Sequence, residues 1–93
     1  MIVAVLTVDV AILEAHSLKD KRRVMQSVKQ RLRNAFNVSV AEVDFGDAAR
    51  RGRLGIALVG LETRSAHAQL DKMVELIRHS PGVTLLEYHR ELL

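Results

Sequence analysis

Ninety-three residues, 48% of them apolar, make a chain long enough for one domain with its own core and too apolar for a disordered tail. The absence of cysteine excludes a disulfide framework and thiolate metal sites, and leads us to expect a reducing, cytoplasmic setting. The formal net charge is a mild +3, but its distribution is uneven, and that unevenness is the main functional signal.

The chain opens with Ile2 to Leu13, IVAVLTVDVAIL. Ile2, Ala4, Leu6, Val8, Val10 and Ile12 make one face; Val3, Val5, Thr7, Asp9 and Ala11 make the other. Both faces are largely apolar, the pattern of an interior strand. No basic region or cleavage site precedes it, and no apolar run approaches a membrane span, so neither a signal peptide nor a membrane partner is expected.

His16 to Phe36 reads as an amphipathic helix. Ser17 is a good N-cap, and Asp20 three residues on completes a capping-box-like pattern. Leu18, Met25, Val28, Leu32, Ala35 and Phe36 line one face, with Leu18 expected as the buried anchor of the first turn. Seven cations, Lys19, Lys21, Arg22, Arg23, Lys29, Arg31 and Arg33, stand against the single acid Asp20, while the rest of the chain is net acidic. Cations in a first helical turn oppose the helix dipole at roughly 0.3–1 kcal/mol each. A solvated polar face would explain them. The alternative is an anion site, in which converging cations and free backbone N–H groups suit a phosphate. Asn37 then ends the helix in the left-handed conformation.

Val38 to Phe45 is a second strand, and Gly46-Asp47 starts a turn whose loop carries Arg50, Arg51 and Arg53 around Gly52. Leu54 to Leu61 is a third strand without charge. A second helix runs from Thr63 to His79, with Ala66, Leu70, Met73, Val74 and Ile77 as its core stripe. Thr63 and Ser65 are both candidate caps, and Pro81-Gly82 ends the helix. Val83 to Leu92 is a fourth strand.

The order β-α-β-β-α-β predicts a single α+β domain over residues 1–93, a ferredoxin-like sandwich. Strands one and three are nearly charge-free, whereas strand two has Glu42 and Asp44 and strand four has Glu87, His89, Arg90 and Glu91. Charged edge strands resist edge-to-edge aggregation. The spatial order should therefore be 4-1-3-2, antiparallel, with both helices on one face. That topology brings His16–Arg23 close to Arg50, Arg51 and Arg53. The candidate anion or nucleic-acid site is thus Lys19, Lys21, Arg22, Arg23, Arg50, Arg51 and Arg53.

Catalysis has little to rest on. Asp9, Glu42, Asp44, Asp47 and Glu87 offer carboxylates, but edge-strand solubility explains most of them. Asp9, on a central strand, should be either partly solvated or paired with an arginine. His16, His67, His79 and His89 show no metal-ligand spacing, and no glycine-rich phosphate loop is present. No cofactor and no enzymatic activity is expected. The two central strands carry no aromatic residue, so bases should not stack on the sheet as they do in RNA-recognition motifs. Contact with RNA would run through phosphates.

The strings MIVAVLTVDV, AHSLKDKRRV, RLRNAFNVSVAEVD and Leu54–Gly60 resemble the YlxP-like family, small bacterial domains of unknown function. The resemblance spans essentially the whole chain and implies a ferredoxin-like fold and a cytoplasmic bacterial protein. Relatives are often encoded near translation and ribosome-maturation factors, which implies an RNA or ribosome connection. One departure is the turn GDAARRG, where relatives tend to have an aromatic or bulky residue. The expected function is a binding module for RNA or a ribosomal particle. The alternative is an oligomeric regulatory or scaffold domain that binds a small anionic ligand or a protein. An open apolar sheet face built from Val3, Val5, Thr7, Ala57, Val59 and either Leu85 or Leu86 further predicts a homodimer, by sheet-face packing or by edge pairing.

Overall fold

A computed structural model describes residues 1–43 and 48–93. Its elements run β1 (Ile2–Ala11), α1 (Leu18–Ala35), β2 (Ser39–Val43), β3 (Arg51–Gly60), α2 (Thr63–Arg78) and β4 (Thr84–Leu92). The sheet order is β2-β3-β1-β4, antiparallel throughout. This is the ferredoxin-like arrangement anticipated from charge placement, with the near-uncharged strands at the centre. Asp44, Phe45, Gly46 and Asp47, including two of the candidate acids, lie outside the described residues.

Alternation along β1 decides the core. Ala4, Leu6, Val8 and Val10 are fully buried, and they meet Leu54, Ile56 and Leu58 from β3 and Val40 from β2. Met25, Val28 and Leu32 of α1, with Ala66, Leu70, Met73, Val74 and Ile77 of α2, close over that face to form one hydrophobic cluster. Burying a side chain of this size contributes roughly 1.5–3 kcal/mol, so this cluster is the main force holding helices to sheet. The other sheet face carries no helix.

Some local boundaries differ from the sequence reading. β3 begins at Arg51, not Leu54. Arg51, Gly52 and Arg53 pair with Ala11, Val10 and Asp9 instead of forming a loop. Gly52 fits there because a Cβ would come within 2.7 Å of Met25 Cε. Asn37 does not take a left-handed conformation: α1 ends at Phe36 with extended backbone, its N–H donating to the Leu32 carbonyl at 2.9 Å. Glu62, not Thr63 or Ser65, occupies the N-cap position of α2, and Ser65 Oγ donates to the Glu62 carbonyl at 3.1 Å. Between Asp9 and Val10 the β1–β4 register skips one β4 residue, Leu86, which bulges and is exposed. A bulge on an edge strand interrupts the ladder that another chain would extend.

Candidate nucleic-acid interface

The start of α1 is built by three short contacts. Ser17 Oγ accepts the Asp20 backbone N–H at 3.1 Å. The Asp20 carboxylate accepts the His16 backbone N–H at 3.0 Å. The Ser17 carbonyl accepts the Lys21 N–H at 3.2 Å. The cap at Ser17 is the one read from the sequence. Asp20 therefore places a carboxylate at the positive end of the helix dipole, where an external phosphate was expected to sit. Leu18 is half-buried and so serves only in part as the anchor expected there.

The seven candidate cations do not form one surface. Lys21 is buried, 5% exposed. Its ammonium donates to the Ala48 carbonyl at 3.1 Å and lies 3.8 Å from Glu42 Oε1. Arg50 Nε donates to the Ala15 carbonyl at 3.2 Å, while the Arg50 carbonyl accepts from Ile12 N at 2.9 Å. These two residues tie the segment after β2 to the β1–α1 connection. They hold the basic end together and are committed to protein partners. Arg53 points to the helix-free sheet face. Its Nε donates to Asp9 Oδ1 at 2.6 Å and its Nη2 to Oδ2 at 3.0 Å, a bidentate pair of the strong, planar kind. Of the two settings expected for Asp9, the arginine-paired one is present. The bond from Arg53 holds the Asp9 carboxyl below its usual range, against the opposing effect of burial and with help from the charges of Arg53 and Arg51.

Lys19, Arg22 and Arg23 remain exposed on α1, and Arg51 is exposed at the start of β3. At 3.6 residues per turn, Lys19, Arg23, Gln26 and Gln30 fall on the side of α1 opposite Met25, Val28 and Leu32, with Arg22 and Arg33 on one flank. No acid follows Asp20 in this helix. Arg33 Nη2 donates to the Val40 carbonyl at 2.9 Å, anchoring the far end of this stripe to β2. The polar face of α1 is therefore cationic over its first two turns, at Lys19, Arg22 and Arg23, and continues as uncharged Gln26 and Gln30 to Arg33.

A cavity of about 220 Å³ beside this face is lined by Ile12, Glu14, Ala15, Asp20, Arg23, Val24 and Gly82. With Glu14 and Asp20 against Arg23, it is poorly suited to a small anion. The histidines are dispersed: His67 Nδ1 lies 3.1 Å from Arg90 Nη1, and His79 Nδ1 lies 2.8 Å from the Glu75 carbonyl. Among the described residues, no three potential metal-ligating side chains come together, and no helix is long and apolar enough to cross a membrane.

A ferredoxin-like sandwich with a basic helix face and a bare sheet defines the class. The family follows from comparison: residues 3–90 match the model described as "Protein of unknown function (DUF503)", and the chain belongs to that family. It is similar to the uncharacterized protein YlxP of Bacillus subtilis (strain 168), with 33% identity over 72 residues covering 77% of this chain and 78% of that protein. The family resemblance carried by the β1, α1 and β2 strings is thereby established. Among solved structures, a de novo designed protein with ferredoxin fold, determined in solution, aligns over 99% of this chain and 85% of its own, at 16% identity and a TM-score of 0.47.

Proposed function

We propose that this domain is a non-enzymatic, cytoplasmic binding module that docks on structured RNA, such as that of a ribosomal particle, through the polar face of α1. The observation that supports the reading is the run of exposed Lys19, Arg22 and Arg23 on a helix face without an acid after Asp20. Such a face suits the regularly spaced phosphates of a folded RNA backbone. Lys21 and Arg50, occupied by protein partners, position the surface, and Arg53 lies on the opposite face of the sheet, so none of the three belongs to it. The test is affinity capture of the tagged protein from bacterial lysate, with and without nuclease. Ribosomal particles should co-purify and be released by nuclease. Recovery of the same protein partners after complete RNA digestion would instead favour a scaffold role.

A further inference from the structure

The helix-free face of the sheet is stepped, and the step matches its own rotated copy. The paired residues fall in rows across the four strands. In one row, Glu91 and Val5 on β4 and β1 stand level with the much smaller Ala57 and Ser39 on β3 and β2. In the next row, His89 and Thr7 stand level with Gly55 and Ala41. In these two rows the β4–β1 half is high and the β3–β2 half low, while in the outer rows Val59 equals Val3 and Arg51 overtops Ala11. The row above places Asp9 beside Arg53, an acid on the high half and a base on the low half, joined at 2.6 Å.

We infer that this face binds a second copy of the same chain, about a two-fold axis parallel to the strands and running between β1 and β3. That axis lays β1 of one protomer over β3 of its partner, and β4 over β2. In those two rows high meets low: Val5 packs over the partner's Ala57, and Thr7 over the partner's Gly55 beside the Val43 side chain that borders it. Level positions remain level, so the two Asp9–Arg53 pairs close into a ring of four charges with alternating sign, flanked on each side by the Glu87 that shares the row with Asp9. A two-fold interface must be self-complementary in this way, and two sheets packed with nearly aligned strands about 10 Å apart are an ordinary arrangement.

Two further facts select a second copy over other occupants. Among the described residues the face carries no Phe, Tyr or Trp for base stacking, because Tyr88 pairs with Val8 and belongs to the helix side. Its β4 margin carries Glu87 and Glu91, which repel phosphates. At about 4.8 Å between strands and 3.3 Å per residue, the face spans on the order of 500 Å². Two such faces bury about 1,000 Å², the lower bound for a specific interface. The inference does not depend on what α1 binds.

Sedimentation equilibrium tests it on the full chain, with circular dichroism of each variant as the check on folding. The wild type should be dimeric at tens of micromolar. Ala57→Tyr fills the low half and should weaken dimerisation on the order of ten-fold or more, while leaving a folded monomer. Asp9→Arg and Arg53→Asp should each dissociate the dimer, and the exchanged double variant Asp9→Arg/Arg53→Asp should restore it. A wild type that stays monomeric at 100 μM (on the order of the weakest useful interfaces) overturns the inference. So does a dimer indifferent to Ala57→Tyr, which would place the contact elsewhere, for example at the β4 edge. A double variant that folds but does not reassociate overturns the charge ring and with it the axis.

Discussion

The ammonium of Lys21 lies 3.1 Å from the carbonyl oxygen of Ala48, inside the protein and not on its basic surface. Glu42, 3.8 Å away, supplies the counter-charge. A single lysine thereby joins the first turn of α1 to β2 and to the segment that follows it.

Lys21→Met should therefore cost stability and not RNA affinity. The methionine keeps most of the stem's volume but leaves the Ala48 carbonyl and Glu42 without their donor. Losing a buried hydrogen bond to a charged group costs about 1.5–3 kcal/mol. The urea midpoint should fall with an unchanged slope, since the fold and the surface exposed on unfolding remain the same. An unchanged midpoint would mean that the ammonium is solvated.

The Asp9–Arg53 pair makes stability depend on acid. Its folded-state carboxyl titrates below the ordinary aspartate value near 3.9. Between that lowered value and the ordinary one, the unfolded chain binds more protons than the folded chain, so stability rises with pH there. The contribution is complete above about pH 4 and disappears as pH falls through the lowered value. Asp9→Asn should flatten this part of the profile. Urea unfolding of both proteins between about pH 2 and 6 reads the difference; parallel profiles would assign the acid sensitivity to other carboxylates.

How much of this was legible in the sequence differs by residue. Alternation from Ile2 to Val10 separates two faces of β1 that are both largely apolar, so burial of Ala4, Leu6, Val8 and Val10 selects the inward one, while the charges of β2 and β4 mark them as edges. Arg51-Gly52-Arg53 has turn-like composition, which hides the start of β3 in the sequence. Pairing with Ala11, Val10 and Asp9 overrides that local preference. Lys21 was grouped with the solvated cations by charge alone. Its spacing carried the correction: it lies four, seven and eleven residues before Met25, Val28 and Leu32, on the core stripe itself. No sequence signal identifies Ala48 as its acceptor, because that contact depends on how the chain returns from β2 to β3. The outward row of β1 is visible in the sequence as a largely apolar set, and which residues of β3 and β4 stand level with it follows only from the strand register.

Gly82, in the turn before β4, is the described residue with positive φ, at +83°. A side chain there would adopt a strained backbone and also approach Val24 Cγ1 at 3.3 Å. Gly82→Ala should therefore destabilise the fold by about 1–2 kcal/mol. Because Gly82 and Val24 both border the cavity beside α1, the same change should loosen the packing of the helix's first turns. Faster amide exchange around Val24 would show this; exchange confined to the turn itself would limit the effect to backbone strain.

The RNA-binding prediction turns on which cations contribute counterion release. Each phosphate contact adds about 0.7–0.9 to the slope of log affinity against log salt concentration, and removing a contacting cation subtracts its share. Arg22→Gln/Arg23→Gln alters two exposed residues of α1 outside its buried stripe, so circular dichroism and urea midpoint should match the wild type. Its slope on a structured ribosomal RNA fragment should fall by up to about 1.8, with affinity reduced at every salt concentration. Lys19→Gln should subtract a further share, because Lys19 lies on the same exposed face. Lys21→Met, with its ammonium already bound to protein, should leave the slope unchanged once corrected for the folded fraction. If the Arg22/Arg23 double variant retains both the affinity and the slope of the wild type, α1 is a solvated basic face and RNA does not bind there.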